Sequence, residues 1–225
     1  MKSLVRPLEE DWRDALDAVA RARGWPTSRE VSRLAQRVAA LSDAYNDPER
    51  ARASAHDAGA ARLGFAFARD VPKAAAAVRE LVATGALQLN RDAPLRVLDL
   101  GAGMGGATWG MVRALEAAGG EGVVEATWVD PDAKALGVGV ALLRARATHP
   151  SPIDLRVHVV ERDLASAALG SESSRFDVVL LGNVLSELRV GDPAEAREER
   201  HAALIRGLFD HRTAQGGAVV VIEPA

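Results

Sequence analysis

From residue 94 onward, short apolar runs alternate with longer amphipathic stretches. The runs at 95–100, 123–129, 153–160, 176–181 and 218–222 have the length of strands, and the gaps near 105–118, 132–147 and 194–214 have the length and spacing of helices. Runs such as Val178-Val179-Leu180-Leu181 are apolar at every position rather than at alternate ones. A strand of that kind is stable only with both faces covered, so the alternation predicts an α/β fold with a parallel, doubly wound sheet. Right-handed crossovers then favour the strand order 3-2-1-4-5.

The first 85 residues carry no strand pattern. Leu8, Trp12, Leu16 and Val19 recur at helical spacing. A second helix is expected to start at a capping box formed by Thr27 and Glu30, with Val31, Leu34, Val38 and Leu41 as its apolar face. Asp47-Pro48 should open a third helix and Pro72 a fourth that Gly85 ends. The chain thus divides into a helical region, 1–85, and a Rossmann-like domain, 86–225.

Composition narrows the chemistry. A length of 225 residues with 48% hydrophobic content supports a substantial core, and 28 basic against 31 acidic side chains give a net charge of −3 that advertises no polyanionic partner. The chain has no cysteine, which removes disulfides, thiolate metal sites and cysteine nucleophiles. Its five histidines lack ligand spacing, so no metal is expected. Arg21, Arg23, Arg29, Arg33 and Arg37 could meet phosphate, but nearby acids such as Glu9, Asp14 and Glu30 make a solvated face the simpler reading. No signal-peptide pattern and no membrane-length apolar stretch is present, so a soluble cytoplasmic protein is expected.

The candidate chemistry lies at the strand ends. Val97-Leu-Asp99-Leu-Gly101-Ala102-Gly103-Met104-Gly105-Gly106 places a glycine loop between the first strand and its helix, where tight turns and close backbone approach are possible. Alone, such a loop also suits nicotinamide cofactors. Asp99 discriminates: a carboxylate two residues before the first glycine opposes a pyrophosphate and suits the ammonium and sulfonium of S-adenosylmethionine. Asp130, ending the second strand, can accept ribose hydroxyls, although a helix cap is the alternative, for which Asp132 is better placed. Asp163 and Leu164, after the third strand, stand where the adenine would lie, with a capping role equally open for Asp163. Asn183 ends the fourth strand, where parallel sheets bind ligands. Ser186 and Glu187 are candidates for orienting substrate, with a plain surface role for either at least as open. Met104 and Trp109 could shape the pocket or simply fill core. No catalytic residue is identifiable, and methyl transfer from an activated sulfonium needs no dedicated base. An Asn-Pro-Pro-aromatic tetrad is absent where Asn183-Val-Leu-Ser186 stands, which weighs against methylation of exocyclic base amines.

Taken together, Leu41-Ser42-Asp-Ala-Tyr45, Arg62-Leu63-Gly-Phe-Ala-Phe-Ala-Arg69, the glycine loop, Asp177 to Leu188 and Val221-Ile-Glu223-Pro224 resemble methyltransferase-like proteins associated with the mitochondrial small ribosomal subunit and their bacterial relatives. These belong to the class I S-adenosylmethionine-dependent methyltransferase superfamily. The resemblance implies binding of that cofactor by Asp99, Gly101, Ala102, Gly103, Gly105, Asp130, Asp163, Leu164 and Asn183. It also implies a role on ribosomal RNA or protein of the small subunit. Family members continue past the Glu-Pro segment into further strands and a cysteine-bearing region, so the C-terminal strands are expected to be missing here and no metal is carried over. The expectation is then either a truncated product or a sheet edge at 218–222 covered by the helical region, by a second copy of the chain or by another partner. A cofactor-binding assembly module without turnover, and a small-molecule methyltransferase with a helical lid, remain the alternatives.

Overall fold

A computed structural model describes residues 6–45, 58–89, 93–164, 174–188 and 193–223. Five strands, β1 (Leu95–Leu100), β2 (Gly122–Asp130), β3 (Ile153–Glu161), β4 (Phe176–Gly182) and β5 (Thr213–Ile222), form one sheet in the order β3-β2-β1-β4-β5. Every pairing is parallel. The fold is the doubly wound, Rossmann-like α/β fold that the apolar runs predict.

The register aligns the carboxyl ends. Leu100 pairs with Val129 and with Leu181, Asp130 with Glu161, and Gly182 with Ile222. All five strands therefore deliver their next residues to one edge of the sheet. β5 begins earlier than the apolar run suggests, because Thr213 pairs with Phe176 before a bulge, with Gly216 at φ +79°, realigns Ala218 on Val178.

Alternating side chains build two cores. Val97, Val124, Trp128, Val178 and Val220 face helices from both the N-terminal region and the α/β region, whereas Leu98, Leu100, Val179 and Leu181 face Leu208, Leu164 and Val184. The first core runs without interruption across residue 85. Its helices are α1 (Glu10–Ala22), α3 (59–83), α4 (Gly106–Ala117) and α5 (Ala133–Arg146). The second face is covered by α6 (Ala194–His211), which buries only Leu208.

Trp12 of α1 explains the fusion of the two regions. Its ring meets Trp109 of α4 edge-on at 4.9 Å and Phe67 of α3 at 6.0 Å, and the buried Arg146 guanidinium lies 4.4 Å above it while pairing with Asp11. Trp109 is accordingly core, not pocket.

Three helix expectations change. α2 (Val31–Tyr45) starts four residues after Thr27: Glu30 does accept from the Thr27 amide at 3.0 Å, but the Thr27 hydroxyl donates to the same carboxylate, so only half the box forms. Val31 is 67% exposed while Leu34, Val38 and Leu41 are half-buried. Pro72 lies inside a helix rather than at its start. That helix, α3, comprises Gly59–Ala61, a π-helical turn Arg62–Phe67 and Ala68–Ala83. The buried face of Val71, Ala74 and Val78 favours helix through the proline, which lacks only one donor, in the turn after the widened segment. Gly85, at φ +74°, ends it as expected. Asp47-Pro48 lies outside the described residues.

β5 is a sheet edge. α3 and α6 pack against its faces, and no further strand pairs with it among the described residues. No described helix is long and apolar enough to cross a membrane.

Candidate functional site

The glycine loop owes its shape to two buried side chains beneath it. Trp128 of β2 is fully buried, and its indole would collide at 2.2 Å with any Cβ on Gly105 and at 2.8 Å with one on Gly139. Gly105 also caps α4 at φ +82°, a conformation that L side chains rarely adopt. Gly101 and Gly103 take φ +68° and +53°, and a Cβ on Gly101 would lie 2.3 Å from Val184. Gly105 is therefore fixed by packing and by the turn, and it does not line the cleft, unlike Gly101, Ala102, Gly103 and Met104.

Asp99 stands under this loop and is 1% exposed. Its Oδ2 accepts from the Thr108 hydroxyl at 2.6 Å and the Thr108 amide at 3.1 Å, and the same hydroxyl accepts from the Trp128 indole at 2.9 Å. Oδ1 is buried with no hydrogen-bond partner. Burial pushes the carboxyl up from 3.8 to about 7, against the pull of the Thr108 bonds and with a small further push from Asp130. A buried carboxylate oxygen without a partner is costly unless something completes it.

Asp130 is 9% exposed at the end of β2. Its Oδ2 accepts from the Gly103 amide and its Oδ1 from the Asp132 amide, both at 2.8 Å, so it braces the glycine loop. Burial raises its pKa, opposed by these two bonds. The capping task falls to Asp132, whose Oδ1 accepts from the amides of Lys134 and Ala135 at 3.0 Å. Asp130 is thereby left to the cleft.

Asp163 and Leu164 line the same cleft from the β3 side. Asn183 lines it from β4, and at φ +58° it is the non-glycine residue with a left-handed backbone among the described residues. Its conformation is held from β5: Glu223 Oε1 accepts from the Val184 and Leu185 amides at 2.8 Å, and Oε2 from the Ser186 amide at 3.2 Å. Glu187 faces the cleft; Ser186 does not.

The cleft has a volume of about 460 Å³, within the roughly 300–1,000 Å³ usual for small-molecule sites. The structure thus brings together eight of the nine sequence-predicted residues, all but Gly105. It also adds a wall that sequence reasoning missed: Arg62, Phe67, Asp70 and Lys73 of α3. The Asp-Val-Pro-Lys segment carries no glycine or strand-end signal, and tertiary packing of α3, chiefly on α4, places it here. Glu223 lies within a segment that carries the family resemblance, but nothing local reveals its three amide partners. Of the N-terminal arginines, Arg33 pairs with Glu30 and Arg23 lies over the Trp25 ring.

No family model matches the chain, and no curated protein matches it in sequence. Solved structures do match. The plantazolicin methyltransferase BpumL in complex with SAH is 16% identical, with a TM-score of 0.41 over 80% of this chain and 55% of that one. The mitomycin 7-O-methyltransferase MmcR is 12% identical, with a TM-score of 0.43 over 95% of this chain and 50% of that one. The DszA carbon methyltransferase is 20% identical, with a TM-score of 0.43 over 88% and 52%. The chain spans about half the length of these structures, and the likeness identifies no substrate.

Proposed function

We propose that this protein is an S-adenosylmethionine-dependent methyltransferase. One observation carries the reading: Asp99 presents a buried, unpartnered carboxylate oxygen beneath a glycine loop that opens on a small-molecule cleft. A cationic ligand completes that oxygen, whereas a pyrophosphate would meet repulsion from it. The fit extends along the cleft, with Asp130 for a ribose, Asp163 and Leu164 for an adenine, and the backbone of Gly101 to Gly103 for close approach. When bound, S-adenosylmethionine supplies an electrophilic methyl group on its sulfonium. The protein's contribution is to orient the partners and keep charge complementary, so that proximity and electrostatics account for the rate.

Equilibrium binding of S-adenosylhomocysteine and of NAD to the purified chain tests this. Saturable binding of the first and none of the second is expected, and tight retention of NAD without affinity for S-adenosylhomocysteine would sink the proposal.

For the acceptor, the motif resemblance supports ribosomal RNA or protein of the small subunit. A small-molecule acceptor is favoured by a separate observation, that α3 of the helical region closes one side of the cleft. Transfer of a tritiated methyl group into small ribosomal subunits or into a metabolite extract distinguishes the two.

A further inference from the structure

Among the described residues the cleft is acidic: Asp70, Asp99, Asp130, Asp132, Asp163 and Glu187 line it, against the two cations Arg62 and Lys73. S-adenosylmethionine nevertheless carries one carboxylate, on its amino-acid end. That group needs a cation, because the cleft that would hold it is lined by an excess of acids. Arg62 is already engaged, donating to Asp132 Oδ2 at 2.9 Å on the β2 side. Lys73 is the other candidate.

Its position suits the task. α3 runs past the cleft from the Arg62–Asp132 contact at the β2 side to the start of α4 and on to β5. Along the way Phe67 Cδ2 and Asp70 Cβ stand 3.8 and 3.9 Å from where a Cβ on Gly106 would lie. A nucleoside with its adenine at Asp163 and its ribose at Asp130 would extend its amino-acid end away from β3, towards Gly106 and the turn of α3 beside it. Asp70 Oδ1 and Lys73 Nζ are 3.7 Å apart, too far for a hydrogen bond. Arg69 Nε, half-exposed, donates to the same Oδ1 at 3.3 Å. As a mere helix-surface ion pair the two residues would contribute little. As neighbours of opposite sign that both line the cleft, they match a zwitterion.

We infer that Lys73 and Asp70 form the receptor for the amino-acid end of the cofactor, Lys73 taking its carboxylate and Asp70 its ammonium together with Asp99. The inference rests on the proposed cofactor, and it makes the helical region part of the cofactor site.

Calorimetric titration of the full chain with S-adenosylhomocysteine and with 5′-methylthioadenosine tests it, since the second ligand keeps the nucleoside and thioether but lacks the amino acid. Lys73→Ala should weaken S-adenosylhomocysteine by about tenfold or more and change 5′-methylthioadenosine by less than about twofold. Lys73→Met keeps the aliphatic stem and should behave alike, Lys73→Arg should recover most of the affinity, and Asp70→Asn should show the same selectivity more weakly. Unchanged S-adenosylhomocysteine affinity in folded Lys73→Ala and Lys73→Met, or equal weakening of both ligands, overturns the assignment while leaving the cofactor reading intact. A wild-type chain that binds neither ligand removes the cofactor reading itself.

Discussion

The two sides of the cleft are built by different means. On the glycine-loop side, buried carboxylates, positive-φ glycines and strand ends fix each group by backbone hydrogen bonds, as where Asp130 holds the Gly103 amide and Glu223 holds three amides behind Asn183. On the α3 side, half-exposed charged side chains project from a helix that is positioned by packing on α4, α1 and β5. The first side tolerates no change of shape. The second depends on helix packing, closest at Gly110, where a Cβ would meet Ala74 and the Val71 carbonyl.

The largest effect should come from breaking that contact. A Cβ on Gly110 would lie 2.4 Å from Ala74 Cβ and 2.6 Å from the Val71 carbonyl, so neither helix can yield by a side-chain rotation. Gly110→Val should cost about 3 kcal/mol or more, outweighing the fraction of a kcal/mol gained in helix propensity. Urea unfolding measures this, and a loss below about 1 kcal/mol would mean that α3 is not held by close approach to α4.

A smaller effect, of opposite sign, is expected beneath the glycine loop. Because the folded-state pKa of Asp99 is pushed up from 3.8 to about 7, the fold disfavours its ionised form. Below about pH 4 the carboxyl is neutral folded and unfolded, and the site costs nothing; between about pH 4 and 7 stability falls as pH rises, and above 7 the full cost is present. Asp99→Asn removes that cost and keeps an oxygen for Thr108. At pH 8 it should stabilise the protein by about 2 kcal/mol, under a ceiling of about 4 kcal/mol set by the shift. At pH 4 it should not, and affinity for S-adenosylhomocysteine should drop by more than about tenfold. Denaturant melts at the two pH values check the first part; the same gain at both would show that Asp99 does not titrate as burial requires.

The smallest effect should be at the outer end of α3. Arg62 and Asp132 are 32% and 36% exposed, so Arg62→Ala should change stability by less than about 1 kcal/mol. A larger loss in thermal unfolding would show that the pair anchors the π-helical turn.

The sheet and the glycine-loop side were legible because their causes are local. Fully apolar runs announce strands buried on both faces, and a glycine is required wherever φ is positive or an indole lies 2.2 Å from the missing Cβ. Asp99, Asp130, Asp163 and Asn183 could be placed from sequence because each lies at or within two residues of a strand's carboxyl end. Where local rules misled, a long-range contact had intervened. Gly105 belongs to Trp128 rather than to the cleft, and Pro72 sits within a helix because Val71, Ala74 and Val78 bury one continuous face.

Sequence alone determined the strand order, the loop and the acids at the strand ends, since hydrophobic period and backbone conformation are properties of neighbouring residues. Only the tertiary structure decided that Arg62, Phe67, Asp70 and Lys73 face the same space, and that Glu223 locks the turn after Asn183. Those contacts join residues far apart in the chain, and they arise from helix packing and strand register, which no local pattern encodes.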